Sequence, residues 1–169
     1  MSPVAIAVAL VAAERLAELA LSQRNVRALK RAGAVEHGRA QYPWIVVLHA
    51  AWLASLFAFV PHDARPIPAL IALYVALQFV RVWAIASLGR FWTTRIVTLP
   101  GAKLVATGPY RFLRHPIYAV VVAEIALLPL SFGDWPIALG FSAANLALLA
   151  WRIRLEDRAL APRRLLTFD

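Results

Sequence analysis

Five long apolar stretches limit the fold of this sequence more than any other feature. They run over Pro3–Leu21, Pro43–Val60, Ile67–Leu88, Ile117–Phe132 and Trp135–Trp151. About 20 helical residues cross the roughly 30 Å of hydrocarbon in a bilayer, where no water is present to hydrogen-bond an open strand edge. No alternating strand pattern is present, so we expect an all-α integral membrane bundle of about five transmembrane helices, with residues 1–169 forming one domain.

Composition excludes an ordinary soluble domain. The chain is 62% hydrophobic and 16% charged, whereas soluble domains are about half apolar and about a quarter charged. The net charge of +9 does not indicate nucleic-acid binding, because the basic residues flank apolar segments instead of forming a stripe with interleaved aromatics. The sequence has no cysteine, which excludes both disulfides and thiolate metal ligands.

The basic residues between the apolar stretches predict an orientation. Three segments carry five Lys or Arg each, and the opposite loops carry Arg65 alone. The segments are Ser22–Tyr42, Gly89–Pro116 and the tail with Arg152, Arg154, Arg158, Arg163 and Arg164. Short cytoplasmic loops collect Lys and Arg. We therefore expect the N-terminus outside and the C-terminus in the cytoplasm.

Seven polar residues lie inside the apolar stretches, where they are unfavourable and usually face a bundle interior or a water-filled cavity. They are Glu14, Arg15, Glu18, His49, Gln78, Arg81 and Glu124. One interpretation is a set of structural ion pairs, with Arg81 bridging Glu14 or Glu18. The other is a polar cavity that opens to the cytoplasm. The sequence leaves both open.

The segment Lys103–Tyr118, K-L-V-A-T-G-P-Y-R-F-L-R-H-P-I-Y, is too polar to span a membrane. Gly108-Pro109 predicts a turn, and His115-Pro116 predicts a second break, where Pro116 begins the fourth helix. A basic membrane anchor with interfacial tyrosines would account for the composition of this segment. The order of its residues, together with the motif at the end of the fifth apolar stretch, also indicates a function.

The pattern G-P-Y-R-x-x-R-H-P-x-Y is followed by a predicted helical hairpin, with its turn at Ser131–Pro136, and then by R-x-x-x-E-[D/E]-x-x-L. The last motif is formed by Arg152, Glu156, Asp157 and Leu160. Over about Phe91–Leu160 this arrangement resembles the isoprenylcysteine carboxyl methyltransferase family, so we expect residues 89–169 to carry the methyltransferase core.

Upstream, three patterns are similar to a bacterial branch of that family, which is linked to methylation of polyketide-derived phenolic and pyrone lipids. They are E-R-L-A-E-L-A-L-S-x-R-N, G-A-x-E-x-G and Y-P-W-I-V-V-L-H. The resemblance implies a bacterial inner-membrane protein whose active site faces the cytoplasm.

The resemblance further implies an S-adenosylmethionine-dependent O-methyltransferase acting on a carboxylate or hydroxyl of a lipophilic substrate, such as a prenylcysteine-like or polyketide lipid. The cofactor-binding residues that it implies are Arg95, Ala102, Lys103, Leu104, Val105, Tyr110, His115, Pro116, Ile117, Tyr118 and Glu156. Ala102–Val105 would act largely through their backbone. Glu156, which can only accept hydrogen bonds when ionised, suits a ribose diol or an amino group.

Arg152 matches the substrate-binding arginine of the family and is the expected catalytic residue. Its guanidinium offers forked donors to a carboxylate or an ionised hydroxyl, and no metal is required. The sequence departs from the family pattern at Ile117 and Ala119-Val120, where small polar or glycine-containing positions are common. These departures bear on the shape of the substrate more than on cofactor binding.

Two other functions remain open. Sterol reductases share a related helical ending, but the loops here are short for a nicotinamide dinucleotide. A small transporter or lipid-binding protein could use a polar cavity, although it would have no cofactor pocket and would leave the paired motifs unexplained. Under that interpretation Arg152–Arg158 is an ordinary basic tail.

Overall fold

Each apolar stretch corresponds to one α-helix in the computed structural model, which describes residues 2–164, with side chains up to residue 161. The helices are α1 Pro3–Arg31, α2 Tyr42–Phe59, α3 Pro68–Leu88, α4 Pro116–Ser131 and α5 Trp135–Arg164. The predicted all-α membrane bundle is confirmed. The side chains of Arg163 and Arg164, which belong to the basic tail, lie outside the described part.

Three of the helices are long and apolar enough to cross a membrane: α2, α5, and α3 together with the short 3-10 turn Gly89–Phe91 that follows it. Helix α4 is apolar but has only 16 residues. Helix α1 has 29 residues but carries Glu14, Arg15 and Glu18 near its middle. The protein is therefore an integral membrane protein. The spanning roles of α1 and α4 and the orientation of the bundle stay predictions.

Large apolar side chains lie on the surface of the bundle as well as in its core. Trp52, Leu56, Ile125 and Leu128 are almost fully buried in the main core. Large apolar side chains also point outward, including Phe59 and Phe79, each 73% exposed, and Leu139 at 65%. A surface of this kind is unfavourable in water and suits lipid.

The α4–α5 hairpin brings two parts of the predicted site face to face. Its turn contains Gly133 at φ +78°, and the Asp134 carboxylate accepts a hydrogen bond from the backbone N–H of Ile137 at 2.9 Å. This bond satisfies one of the free donors at the start of α5. The two helices run antiparallel from this turn, which places Tyr118 near the start of α4 opposite Arg152 in α5.

Helix α1 continues ten residues beyond the predicted span end at Leu21. Its basic end is attached to the loop after α3, because the Asn25 amide donates to the carbonyls of Gly89 at 3.2 Å and Trp92 at 2.8 Å. A short antiparallel sheet forms beyond it, in which β1 (Val35–His37) pairs with β2 (Ile96–Thr98). The sequence did not predict this sheet, since three residues are too few to display strand alternation.

Six of the seven intramembrane polar residues form one cluster across α1, α3 and α4, whereas His49 lies in α2. Arg81 pairs with Glu18 at 2.5 Å, as the ion-pair interpretation predicted, and also with Glu124 at 2.9 Å. Arg15 pairs with the same two carboxylates at 3.0 and 2.9 Å. Two arginines thus face two buried glutamates, an arrangement that leaves little net charge. Glu14 lies at the edge, 30% exposed and 3.5 Å from Arg81.

Candidate active site

The Gly108-Pro109 turn packs against the end of α3. Residues Gly108–Arg111 form a 3-10 turn, and Gly108 has φ +58°, a value that favours glycine. A Cβ at this position would lie 2.1 Å from the Ser87 Oγ. Any side chain here would push the motif away from α3, so glycine is required by both backbone and space.

The second predicted break also lies where the sequence placed it. Helix α4 begins at Pro116, directly after His115. The His115 imidazole stacks on the Tyr118 ring, with the ring centroids 5.0 Å apart and an interplanar angle of 13°. Its Nε2 lies 3.7 Å from an Asp157 carboxylate oxygen in α5. The first turn of α4 is thereby held against the end of the hairpin.

Three side chains from the two sequence motifs form a hydrogen-bonded chain. The buried Arg152 donates from Nε to the Tyr118 hydroxyl at 2.7 Å. The Tyr118 hydroxyl in turn donates to a Glu156 carboxylate oxygen. Because a hydroxyl can accept and donate at once, Tyr118 connects the arginine to the carboxylate. The structure thus brings together residues 34 and 38 positions apart in the chain.

The backbone carbonyl of Thr94 holds the other end of Arg152, accepting from Nη2 at 2.9 Å. Thr94 is itself fixed by Ser22 of α1. The Ser22 Oγ accepts from the Thr94 backbone N–H at 2.9 Å and lies 2.8 Å from the Thr94 hydroxyl. Sequence reasoning missed Thr94, since a backbone carbonyl leaves no side-chain signal. The sequence signal for this contact is Ser22, which bonds Thr94 and belongs to the upstream S-x-R-N pattern.

Glu36 in β1 is a second residue that sequence reasoning left without a role. Its carboxylate pairs with Lys30 at 2.5 Å and with Arg95 at 3.1 Å. Burial alone would raise the pKa of Glu36, but hydrogen bonds from Lys30 and Arg95 outweigh burial and hold the pKa below its usual value. Arg95 also lies over the Tyr42 ring, 4.8 Å from its centroid. Arg95 is therefore anchored to the sheet and to α2.

One cavity of about 870 Å³ connects these residues, within the range of about 300–1,000 Å³ common for ligand sites. Of the residues predicted to act on cofactor or substrate, nine line it: Arg95, Leu104, Val105, Tyr110, His115, Ile117, Tyr118, Arg152 and Glu156. Ala102, Lys103 and Pro116 are not among its lining residues. Lys103 and Ala102 lie in the preceding loop, and Pro116 is buried as the first residue of α4.

The rest of the cavity wall is mainly apolar. Phe112 and Leu113, 68% and 54% exposed, also line it, so the cavity reaches the surface of the protein at these residues. Arg15, Glu18 and Arg81 of the ion cluster contribute to the wall as well. The polar residues therefore form ion pairs, and some of them also face a cavity; its opening to the cytoplasm stays a prediction.

The polar end of the cavity is lined by Tyr110, His115, Tyr118, Arg152 and Glu156. Two of its groups have hydrogen-bonding capacity available for a ligand. The His115 Nε2 is buried without a hydrogen-bond partner among the described residues, and the hydrogen bond from Tyr118 reaches one of the two Glu156 carboxylate oxygens. Burial and the neighbouring Glu156 carboxylate raise the pKa of Tyr110. Tyr110 therefore stays a neutral hydroxyl, able to donate. This end offers both donors and acceptors to a polar molecule.

Comparison with known proteins gives a family and two relatives. The profile of the isoprenylcysteine carboxyl methyltransferase family matches residues 70–162, from α3 to the end of the described side chains. The chain is 40% identical over 157 residues to the uncharacterized protein YpbQ of Bacillus subtilis, covering 90% of this chain and 94% of the relative. It is 24% identical over 163 residues to an uncharacterized protein of Haemophilus influenzae, covering 90% and 92%. No solved structure matches significantly.

Proposed function

The chain belongs to the isoprenylcysteine carboxyl methyltransferase family, and from that premise we propose that it methylates a lipophilic substrate with S-adenosylmethionine as donor. The acceptor atom is a carboxylate or hydroxyl oxygen. The reaction takes place in the 870 Å³ cavity between the helices. The observation that carries the proposal is the Arg152–Tyr118–Glu156 chain, which joins a cation for the acceptor oxygen to a carboxylate for the donor molecule.

The residues at the polar end of the cavity fit S-adenosylmethionine, which supplies an activated methyl group when bound. The His115 Nε2, which has no hydrogen-bond partner in the described part of the chain, suits the carboxylate of its amino-acid portion as a donor. The other carboxylate oxygen of Glu156 suits an amino group or a ribose hydroxyl. Tyr110 and Tyr118 add aromatic surface, which attracts a desolvated cation by up to about 2 kcal/mol.

Arg152 positions the acceptor. Its Nε and Nη2 are bound to Tyr118 and Thr94, so the plane of the guanidinium is fixed before any substrate arrives. A fixed guanidinium offers its remaining N–H groups to an anionic oxygen in a defined direction. Orientation of this kind contributes several kcal/mol when two molecules react inside one site.

The apolar wall suits the rest of a lipid substrate, and its acceptor oxygen needs little further activation. A carboxylate is ionised at neutral pH, and the Arg152 cation favours the ionised form of an acidic hydroxyl. The apolar surroundings also exclude water, which strengthens the electrostatic interactions inside the site. We place the protein in a bacterial inner membrane with the cavity accessible from the cytoplasm, as the charge distribution predicts.

The first experiment measures which cofactor the purified protein binds. S-adenosylhomocysteine, the demethylated product, should raise the melting temperature of the protein, since a ligand that binds the folded state stabilises it. Reduced nicotinamide cofactor should have no effect. A shift with the nicotinamide cofactor instead would identify a reductase. No shift with either would favour a transporter or lipid-binding protein and contradict the proposal.

A further inference from the structure

Two polar side chains of the cavity wall take no part in the hydrogen-bonded chain around Arg152. Asn145 in α5 is 3% exposed, and its Nδ2 has no hydrogen-bond partner among the described residues. His49 in α2 donates from Nδ1 to the Ile45 carbonyl at 2.8 Å. The opposite nitrogen of a neutral imidazole is then an acceptor. Both residues line the same cavity as Arg152.

The ion cluster differs from these two residues, because its charges already satisfy one another. Each guanidinium of Arg15 and Arg81 faces two carboxylates at 3.0 Å or less. A ligand would have to break one of these pairs to bind there. Asn145, in contrast, is an uncharged group with unused hydrogen-bonding capacity, facing a space large enough for a molecule.

Asn145 lies on the same face of α5 as the catalytic residues. The α5 residues that line the cavity are Asn145, Leu148, Leu149, Arg152, Glu156 and Leu160, a helical stripe. Asn145 precedes Arg152 by seven residues, which is about two turns and about 10 Å along the helix axis. It also follows Trp135 by ten residues, about 15 Å, so it lies near the middle of a span of about 30 Å.

His49 on α2 extends the row of polar groups that Arg152 and Asn145 form along the cavity. The Gln41 amide at the start of α2 donates to the Leu148 carbonyl at 3.1 Å, which aligns the two antiparallel helices. From that contact, Asn145 lies about 5 Å and His49 about 12 Å towards the middle of the bundle. Arg152 lies about 6 Å in the opposite direction. The polar groups therefore follow one another along the cavity, separated by apolar wall.

We propose that the Asn145 amide donates to a second oxygen of the lipid substrate, about 10 Å from the oxygen that Arg152 orients, and that His49, beyond it, can accept from a hydroxyl. The substrate class is thus an amphiphile whose chain carries an internal keto or hydroxyl group, not a plain hydrocarbon tail. This inference rests on the proposed function, since it assumes that Arg152 holds the acceptor end. An unpaired amide buried at mid-membrane depth destabilises the folded protein, whereas a substrate oxygen would satisfy it.

The test compares two fatty acids on the purified protein. Hexadecanoate is the plain chain, and 9-oxohexadecanoate carries its keto group about 10 Å from the carboxylate when extended, matching the spacing of Asn145 and Arg152 along α5. Binding is measured by the shift of the melting temperature over a concentration series, with S-adenosylhomocysteine present. One neutral hydrogen bond should make the wild type bind the keto acid roughly three- to tenfold more tightly.

Asn145→Leu keeps the size of the side chain and removes the amide. The variant should lose the preference for the keto acid, and without any ligand it should melt at a higher temperature than the wild type. A merely structural asparagine would give the opposite change in melting temperature. Ser142→Ala is the matched control, since the Ser142 hydroxyl on α5 is also buried without a hydrogen-bond partner in the part of the chain that the structure describes, but does not line the cavity. This control should keep the preference.

The proposal is overturned if the wild type binds both acids equally or binds neither, or if Asn145→Leu keeps the preference. The methyltransferase assignment is tested separately, by the shift of the melting temperature with S-adenosylhomocysteine alone and no fatty acid. If that molecule does not bind, but the keto preference is present and vanishes in Asn145→Leu, the second oxygen site stands without the methyl transfer.

Discussion

Arg152 donates to the hydroxyl of Tyr118 at 2.7 Å, so the residue expected to hold the acceptor directly contacts a residue expected to hold the donor. Tyr118 also donates to Glu156. The methyl acceptor and the methyl donor would therefore be held on either side of the Tyr118 hydroxyl. Variants of Arg152 should affect turnover and variants of Glu156 should affect cofactor binding, because the two residues hold different molecules.

Arg152→Lys should impair turnover while leaving the cofactor bound. Lysine keeps the charge but lacks the planar fork that contacts both Tyr118 and Thr94. Misplacement of an acceptor by about 1 Å lowers a rate around a hundredfold. Calorimetry with S-adenosylhomocysteine should show an affinity change below about threefold, or roughly 0.7 kcal/mol. Arg154→Lys is the control, since Arg154 is exposed and does not line the cavity; equal losses in both variants would mean that Arg152 is an ordinary basic anchor.

Glu156→Gln should weaken cofactor binding. The substitution keeps the size of the side chain and removes the charge that a hydroxyl or amino group would meet, a loss of about 1.5–3 kcal/mol. Binding of S-adenosylhomocysteine measured by calorimetry should weaken by one to two orders of magnitude. Asp157→Asn, whose neighbours Arg114 and His115 lie at 3.8 and 3.7 Å, should have a smaller effect. Wild-type affinity in Glu156→Gln would exclude this residue from the cofactor site.

Glu124→Gln should strongly destabilise the bundle. Glu124 is 2% exposed and pairs with both Arg15 and Arg81, so its loss leaves an uncompensated buried charge, with a destabilisation of about 3–5 kcal/mol. Glu14→Gln is matched in chemistry, but Glu14 is 30% exposed and its nearest cation lies at 3.5 Å, so we expect at most about 1 kcal/mol. Unfolding midpoints in detergent compare the two; similar values would indicate that the cluster is not a structural lock.

Glu36→Gln should destabilise the protein in a pH-dependent way. The pKa of Glu36 is lowered in the folded state, so its ionised form contributes stability above the unfolded pKa of about 4.3 and loses it as pH falls through the lower folded value. The wild type should therefore exceed the variant by about 1 kcal/mol at pH 7. The difference should shrink as the pH falls below about 4.3 and be lost once Glu36 is protonated in the folded state. Melting temperatures across that range test this; a difference that grows on acidification would contradict the sign.

The orientation of the chain is testable with reporter fusions. A fusion after Asp169 should read as cytoplasmic, and one near Asp63, beside the single basic residue Arg65 of the opposite loops, should read as external. A cytoplasmic signal near Asp63 would contradict the predicted arrangement.

The sequence predicted the helices because long apolar stretches have few alternatives in lipid. It also predicted both breaks of the central motif, since Gly108-Pro109 and His115-Pro116 act through local backbone geometry. The basic segment Asn25–Ala32 suited a helix lying on the inner leaflet, but its continuity with α1 up to Arg31 was not visible, because the buried contacts are made by Ser22 and Asn25 with a distant loop. Hydropathy does not record such contacts.

The candidate site was predictable only where side chains form a motif. Arg152, Tyr118 and Glu156 were all chosen from the sequence, and the structure brings them together. Thr94 contributes a carbonyl, and Asn145 lies in an otherwise apolar stretch, so neither belongs to a motif. Glu36 lies within a quoted pattern, but its role depends on pairing with Arg95, 59 positions away.

The ion cluster shared by α1, α3 and α4 bears on how this chain reaches the membrane. A helix with Glu14, Arg15 and Glu18 near its middle partitions poorly into lipid by itself, and its counterions, Arg81 and Glu124, are synthesised later. With α1 predicted to span the membrane, we expect its stable integration to await the third and fourth helices. Later segments of the chain would then recruit the N-terminal segment, and a chain truncated before Pro116 would lack part of what retains its own beginning in the bilayer.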